Sequence, residues 1–227
     1  MHRPRIDNSE SFQAAFGISR ETLDRLATYA SLLAHWQKTI NLVAPSTIDD
    51  IWHRHFADSA QLWQYRPAEA RTWLDLGSGA GFPGLVLAIL GADGNSRHVL
   101  VESDSRKVAF LREVVRETGV AVDILCMRIE NAETRAKVGA VDCVTARALA
   151  PLPRLVGLVA PYFASSTLGL FSKGRGVAAE IEEAARKWQF AYELKPSMTD
   201  EGSSVVLLKA LKPKTLQPKA LGRKTEG

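Results

Sequence analysis

Residues 74–84 read LDLGSGAGFPG and have apolar residues on both sides. The run Thr72 to Leu76 before the glycines predicts a short strand, and Pro83 to Leu90 after them predicts a buried helix. A strand, a glycine loop and a helix in this order bind nucleotide-like ligands at the carboxyl ends of a parallel sheet. The run therefore predicts both an α/β fold and the position of its ligand.

Short apolar runs recur after this loop, and helical patterns separate them. The predicted strands are His98 to Val101, Val122 to Cys126, Val141 to Thr145, Thr167 to Phe171, Phe190 to Leu194 and Val205 to Leu208. Strands that alternate with helices form a parallel sheet with right-handed crossovers. A polar, glycine-containing turn joins the last two strands and predicts an antiparallel hairpin. We expect an α/β, Rossmann-like sheet that is mostly parallel and ends in this hairpin.

Two helices are predicted ahead of the sheet. In the first, apolar residues recur every three or four positions from Leu23 to Trp36, and Ser19 is its expected N-cap. The second is expected to begin at Ser46 or Thr47 and to end before Pro67. The chain is thus divided into an N-terminal helical extension (1–70), a Rossmann-like domain (71–211) and a basic, flexible tail (212–227).

The charge of the chain is uneven. Its 227 residues have a formal net charge of +4, but the residues before Val205 sum to −1, so the basic excess lies in the C-terminal segment. That segment either attracts phosphates without regard to sequence or is a solvated end without a partner.

Composition places the chain among cytoplasmic proteins. No apolar run approaches the ~20 residues that a membrane span requires, and the basic N-terminus leads into no apolar stretch. Cys126 and Cys143 both lie in strand-like runs, where a free cysteine packs as a small core residue. No heptad repeat calls for a dimer, so a monomer is expected.

The ligand of the glycine loop is either a dinucleotide or S-adenosylmethionine, since Gly79 to Gly84 also matches the G-x-G-x-x-G pattern of dinucleotide enzymes. A dinucleotide places its pyrophosphate on loop amides, where a nearby carboxylate would repel it. Asp75 ends the preceding strand and favours the cationic sulfonium and ammonium of S-adenosylmethionine. Pro83 also removes an amide that a pyrophosphate would use. The methyl donor is therefore preferred, with an NAD(P)-dependent oxidoreductase as the alternative.

Two further acids follow predicted strands. Glu102 ends the second strand, where a carboxylate accepts hydrogen bonds from ribose hydroxyls. Glu130 follows the third strand and can accept from an adenine amino group, with Ile129 packing on the ring or offering its amide. Most acidic residues are only surface residues, but acids at three successive strand ends support a cofactor site.

The loop is one of several motifs that together resemble a single known family, the bacterial small-subunit ribosomal RNA guanine-N7 methyltransferases, or glucose-inhibited division protein B family. Beyond residues 75–84, the likeness includes Asn41-Leu42, His55 with Asp58-Ser59, Glu102-Ser103 with Lys107, Arg128-Ile129-Glu130, Arg147-Ala148 and Ser172-Lys173-Gly174. Each motif is short, and the combination is specific. Glu102 stands where the family commonly has aspartate, which keeps the acceptor, and the tail after Leu211 lies outside the shared region.

The resemblance implies methylation at N7 of guanosine 527, in the 530 loop of 16S rRNA, with S-adenosylmethionine as the methyl donor. It places Gly77, Phe82, Ile129, Glu130 and Arg147 at cofactor-contacting positions. With the residues argued from charge and chain order, the expected cofactor site also includes Asp75, Gly79 and Glu102. The expected partner is 16S rRNA or the small ribosomal subunit.

The chemistry calls for no catalytic residue. Guanine N7 has an in-plane lone pair and no proton, so it attacks the sulfonium methyl directly, and positioning and desolvation provide the catalysis. A cytosine-C5 enzyme would need a nucleophilic cysteine, usually beside a proline, which neither cysteine offers. An amino-group methyltransferase typically has Asp/Asn-Pro-Pro-Tyr after the fourth strand, where this chain has ALAPLP at residues 148–153.

Cationic side chains near the predicted cleft are candidates for RNA contacts. They are His53, Arg54 and His55 on the second helix, and Lys173 and Arg175 after the fifth strand. Arg147 can hold the cofactor's carboxylate, touch RNA phosphate or form a surface ion pair. His53 and His55 are two apart on a helix and point away from each other, which argues against a metal site. A non-catalytic, RNA-binding ribosome assembly factor with this fold is a further alternative.

Overall fold

The computed structural model describes residues 5–214, which build a seven-stranded sheet with helices on both faces. The strands are β1 (Thr72–Leu76), β2 (Arg97–Glu102), β3 (Asp123–Cys126), β4 (Cys143–Arg147), β5 (Leu168–Lys173), β6 (Trp188–Pro196) and β7 (Ser204–Pro213). Their order is β3-β2-β1-β4-β5-β7-β6. The first five strands are parallel, and β7 runs antiparallel to both neighbours. The predicted mostly parallel sheet with a C-terminal hairpin is confirmed.

The helices come in two groups along the chain. Before the sheet lie α1 (Ser9–Phe16), α2 (Arg20–Trp36) and an irregular helix, residues 45–65, that includes α3 (Asp58–Ala60). Between the strands lie α4 (Gly84–Leu90), α5 (Ser105–Thr118), α6 (Ala132–Val138), α7 (Leu152–Val159) and α8 (Val177–Ala185). Within residues 5–214, none of these helices combines the length and apolar character needed to cross a membrane.

β1 occupies the point where the strand order reverses. It pairs with β2 on one side and β4 on the other, and the chain reaches β3 beyond β2 and β5 beyond β4. A crevice opens outside the carboxyl ends of the strands at such a reversal. The segments that follow β1 and β4 therefore meet at one edge of the sheet, and this is where the ligand site is expected.

The two faces of the sheet are covered by different helices. Side chains alternate along β1, so that Leu74 and Leu76 pack with α7 and α8 while Trp73 and Asp75 point to the opposite face. On that opposite face one hydrophobic cluster joins the N-terminal helices to the domain, and its members include Phe12, Leu26, Tyr29, Phe56, Phe82, Leu85, Leu100 and Phe110. The N-terminal helical extension is thus packed on the sheet and shares its core.

The cap predicted for α2 is confirmed, whereas α1 was missed by the sequence analysis. Ser19 accepts a hydrogen bond from the amide of Thr22. α1 begins with a capping box between Asn8 and Ser11 and ends at Gly17, whose φ is 61°. A polar residue before a short helix and a glycine after it are the recognised start and stop signals. They were present, but eight residues carry too little apolar periodicity to stand out.

The second predicted helix is present but is not a regular α-helix. It consists of a 3₁₀ turn (Pro45–Asp50), a π turn (Trp52–Ala57), α3 and a second 3₁₀ turn (Gln61–Tyr65). Long-range bonds reach this segment, since the carbonyl of Arg54 in the π turn accepts from Arg147, 93 residues away. Helical propensity is a weak preference that such tertiary contacts override.

Two predictions, the start of the tail and the burial of Cys126, differ from the structure. β7 continues through Pro213, so Lys212 belongs to the sheet and not to the tail; residues 215–227 lie outside the described part of the chain. Cys143 is buried as predicted, but Cys126 is exposed, because it ends the edge strand β3.

Candidate active site

The glycine loop after β1 is held close to its neighbours. The amides of Gly77 and Ser78 both donate to the carbonyl of Val101 on β2. Gly77 has a φ of 65°, and a Cβ added there would lie 2.6 Å from Cδ1 of Leu149. The left-handed backbone conformation therefore favours glycine at this position, and any larger residue would also require Leu149 to shift.

Glu102 is bound to the same loop. One carboxylate oxygen accepts from the amide of Gly79 at 2.8 Å, and the other accepts from the amides of Ser103 and Asp104 at 2.7 and 2.8 Å. The amide of Gly79, which a pyrophosphate would need, already donates to the carboxylate of Glu102. That carboxylate would repel a second negative group at the same place. The loop is consequently suited to a ligand without phosphates.

A cavity of about 320 Å³ opens between this loop and the segment after β3, and we call it the glycine-loop cavity. Of the residues predicted to bind cofactor, those lining it are Gly77, Gly79, Glu102, Ile129 and Glu130. Tyr162 donates to the carbonyl of Ile129 at 2.8 Å and so fixes the segment before Glu130. The structure brings these five predicted residues together.

Asp75 lies behind the loop and does not line this cavity. Its side chain is 3% exposed, and its carboxylate accepts from the hydroxyl of Thr145 at 2.7 Å. Burial raises the pKa of Asp75 to about 6, against the opposing effect of the bond from Thr145. Asp75 was expected to face a cationic ligand, but the alternation of side chains along β1 points it to the face covered by α4.

A second cavity, of about 560 Å³, adjoins the first, and we call it the arginine cavity. Its lining includes Arg54, His55, Asp58, Arg147, Ser172 and Lys173, together with residues of the β6–β7 turn. Ala148 lines both cavities and is their shared wall. Its φ of 52° is rare for a residue other than glycine, and such a conformation persists only where the surroundings hold it.

Arg147 belongs to the arginine cavity. One of its Nη atoms donates to the carbonyl of Arg54 at 3.1 Å and lies 3.3 Å from a carboxylate oxygen of Asp58; the other donates to Nδ1 of His55 at 2.7 Å. The guanidinium carbon lies 5.0 Å above the ring of Phe82. Arg147 and Phe82 are thus placed apart from the other predicted cofactor residues.

His55 and His53 have internal partners. Since a guanidinium only donates, Nδ1 of His55 accepts from Arg147, and its Nε2 donates to the hydroxyl of Thr47 at 2.7 Å. Burial, then the charge of Arg147, lowers the pKa of His55 to about 3, so this side chain is neutral at physiological pH. His53 accepts from the amide of Ile6 and bonds the carbonyl of Thr199. Neither ring therefore has a free nitrogen for RNA.

The predicted cations differ in exposure. Arg54 and Arg175 have exposed side chains, whereas that of Lys173 is 9% exposed and forms an ion pair with Glu180. Among the described residues, no group of three or more histidine, cysteine, aspartate or glutamate side chains is placed to hold a metal ion.

Asp58 is a site residue to which the sequence analysis gave no role. Its carboxylate accepts from the hydroxyl of Thr199 and from the side-chain Nε2 of Gln61, besides its contact with Arg147. It thereby joins the irregular helix to the end of β4 and to the β6–β7 turn. The Asp58-Ser59 motif was noted in the sequence, but a partner 141 residues away leaves no local signal.

Comparison with known proteins identifies the family. A family model described as GidB, rRNA small subunit methyltransferase G, matches residues 22–205. A protein from Parvibaculum lavamentivorans named Ribosomal RNA small subunit methyltransferase G is 50% identical over 210 residues, which cover 92% of each chain. Its namesake from Rhodospirillum centenum is 51% identical over 206 residues, which cover 91% of this chain and 92% of that protein.

The fold is also found among solved structures. A TehB-like SAM-dependent methyltransferase from Corynebacterium glutamicum superposes with a TM-score of 0.53 at 12% identity, covering 83% of this chain and 100% of that chain. This likeness concerns the fold. The match to the family model and the two close relatives extend over most of the sequence, and the chain belongs to the rRNA small subunit methyltransferase G (GidB) family.

Proposed function

We propose that this chain transfers the methyl group of S-adenosylmethionine to N7 of a guanine in 16S rRNA, at guanosine 527 of the 530 loop. Family membership supports the reaction class and the RNA substrate. The structural observation that carries the proposal is the pair of adjoining cavities at the reversal of strand order, with Ala148 between them. Glu102 and Glu130 line the first cavity, and Arg54 and Arg147 line the second.

The glycine-loop cavity suits the methyl donor. Gly77 and Gly79 form its floor, Glu102 offers a carboxylate to ribose hydroxyls, and Ile129 with Glu130 borders the place for adenine. Because Glu102 already binds the amide of Gly79, this loop disfavours the pyrophosphate that an NAD(P)-dependent oxidoreductase would bind. S-adenosylmethionine supplies an electrophilic methyl group on a cationic sulfur.

The arginine cavity is the proposed place for the target base. N7 of guanine loses no proton on methylation, so the reaction asks the protein for orientation and exclusion of water. Arg147 is held by Arg54, His55 and Asp58 and presents a fixed positive group at the edge of this cavity. Arg54 and Arg175, both exposed, are the proposed contacts to the RNA backbone.

The test is transfer of isotope-labelled methyl from S-adenosylmethionine to small ribosomal subunits, or to 16S rRNA, that lack the modification. Mass spectrometry of nuclease fragments should place one methyl on the base of guanosine 527. Label on another nucleotide or on protein would refute the substrate assignment. RNA binding without any transfer would instead favour a non-catalytic assembly factor.

A further inference from the structure

Lys173 ends β5 on the rim of the arginine cavity, but its ammonium is turned inward. Nζ donates to the carbonyl of Ala150 at 2.7 Å and to a carboxylate oxygen of Glu180 at 2.9 Å. The side chain is only 9% exposed. To contact RNA, this cation would have to leave both partners, and a buried lysine separated from its counter-ion is strongly disfavoured.

Glu180, on α8, fixes the same segment from the other side. The oxygen that binds Lys173 also accepts from the amide of Leu152, the first residue of α7, at 2.6 Å. Burial acts to raise the pKa of Glu180, but the bonds from Leu152 and Lys173 outweigh it and leave the pKa below its usual value. Residues 148–152 are therefore held at a carbonyl and at an amide by one ion pair.

This segment, residues 148–152, is the wall between the two cavities. Ala148 lines both of them, in the left-handed backbone conformation that requires outside support. Leu149 lines the glycine-loop cavity and lies directly over Gly77. A shift of the segment would move the surface that meets the cofactor and the surface that meets the RNA base together.

We propose that Lys173 and Glu180 are positioning residues that hold residues 148–152 as the common wall of both cavities, and that Lys173 makes no direct contact with RNA. The identity of the two ligands rests on the proposed function. The consequence is distinctive, because a residue placed at the RNA side then controls the affinity for S-adenosylmethionine in the absence of RNA.

The experiment uses the full chain with Lys173→Met, Glu180→Ala and the double substitution. The Kd for S-adenosylmethionine is measured by calorimetry without RNA, and kcat and KM are measured for methyl transfer to small subunits. Each single variant is expected to raise the Kd about tenfold and to lower kcat/KM. The double variant should bind S-adenosylmethionine no more weakly than Lys173→Met does, because the two side chains act as one unit. Lys187→Met, on an exposed lysine just after α8, is the matched control and should keep the wild-type Kd.

A direct RNA contact predicts a different pattern. Lys173→Met would then keep a Kd for S-adenosylmethionine within twofold of wild type, while its KM for RNA would rise and would depend more weakly on salt. Glu180→Ala would change neither the Kd nor the KM. That pattern overturns the proposal. The double variant removes both charges and leaves no buried ion without its partner, so its Kd for S-adenosylmethionine decides the matter if a single variant does not fold. Failure of the wild-type chain to bind the donor or to label rRNA would count against the proposed function instead.

Discussion

Glu102 gathers three backbone amides around one carboxylate beside the glycine-loop cavity, and this arrangement gives the first prediction. Glu102→Ala removes the acceptor for Gly79, Ser103 and Asp104 as well as the proposed ribose contact. The Kd for S-adenosylmethionine should rise at least tenfold, which corresponds to about 1.4 kcal/mol. Calorimetric titration measures it, with Glu117→Ala on the exposed face of α5 as the control. An unchanged Kd would show that Glu102 has only a local structural role.

Gly77 allows backbone strain and crowding to be separated. Gly77 and Gly119 have nearly the same φ, 65° and 66°, but an added Cβ meets Leu149 at 2.6 Å at the first and nothing within 4 Å at the second. Gly119→Ala should lower the free energy of unfolding by about 1 kcal/mol through backbone strain alone. Gly77→Ala should lower it by about 2–4 kcal/mol, because crowding adds to the strain.

Urea unfolding of the two alanine variants measures this difference, and calorimetry gives their affinities for S-adenosylmethionine. Only Gly77→Ala should weaken the binding of S-adenosylmethionine, because Gly119 follows the last residue of α5 and lines neither cavity. Equal losses of stability in the two variants would mean that Leu149 moves aside freely.

Single residues also show the limits of sequence interpretation. The placement of Glu102, Ile129 and Glu130 followed from chain order alone, because strand ends of a parallel sheet share an edge. The surroundings of His55 and Lys173 did not, because their partners lie on other elements of the fold and no pattern in the sequence pairs them. From the sequence, a cationic residue near a cleft is interpreted as an RNA contact, and only the structure shows whether an internal counter-ion already neutralises it.

At the scale of elements, strands and buried helices were predictable because their apolar periodicity is local. α4 was expected from Pro83 to Leu90 and is observed as Gly84–Leu90. The irregular helix was expected as a regular one, since no pattern within residues 45–65 encodes the bond from Arg147 to the carbonyl of Arg54. Periodicity predicts which face of an element is buried, and long-range polar contacts then decide its detailed geometry.

Asp58 links three elements, and its removal should affect RNA methylation more than cofactor binding. Asp58→Ala deprives Arg147, Gln61 and Thr199 of a shared acceptor in the arginine cavity. We expect kcat/KM for methyl transfer to fall at least tenfold, about 1.4 kcal/mol of transition-state stabilisation, with the Kd for S-adenosylmethionine within twofold.

Steady-state methylation assays with a parallel titration of the donor measure both quantities. Asp58→Asn retains an acceptor oxygen and should recover part of the activity, whereas Asp49→Ala, exposed on the same irregular helix, should behave as wild type. A loss of donor affinity equal to the loss of activity would contradict the assignment of Asp58 to the RNA side.

At the scale of the molecule, the N-terminal helices and the sheet share one hydrophobic cluster, so their stabilities are coupled. Buried titratable groups in this assembly make stability depend on pH. Burial lowers the pKa of His98 to about 4, and burial with the charge of Arg147 lowers that of His55 to about 3. Both are near 6.5 in an unfolded chain. Asp75 acts in the opposite direction, because its pKa is raised to about 6.

The sign follows from proton linkage. Each histidine binds protons more readily in the unfolded chain, so its contribution to stability is complete above pH 6.5 and is lost as the pH falls toward the folded-state pKa. Between pH 7.5 and 5.0 the loss is about 2 kcal/mol for His98. Protonation of Asp75 in the folded state stabilises the protein by about 1.4 kcal/mol over the same interval. The free energy of unfolding of the whole protein therefore falls by less than the two histidines alone would cause.

The substitution His98→Gln separates the contribution of His98 to the pH dependence of stability from those of His55 and Asp75. The variant loses the stacking of His98 on Trp73 and is less stable at pH 7.5, but its free energy of unfolding should fall by about 2 kcal/mol less than that of wild type on going to pH 5.0. Urea titrations at both pH values give the difference, and His35→Gln, which changes an exposed imidazole, controls for the loss of a titratable side chain. If the two variants showed the same pH dependence, His98 would have to accept its proton in the folded protein. The packing of His98 against Trp73 would then have to open near pH 5.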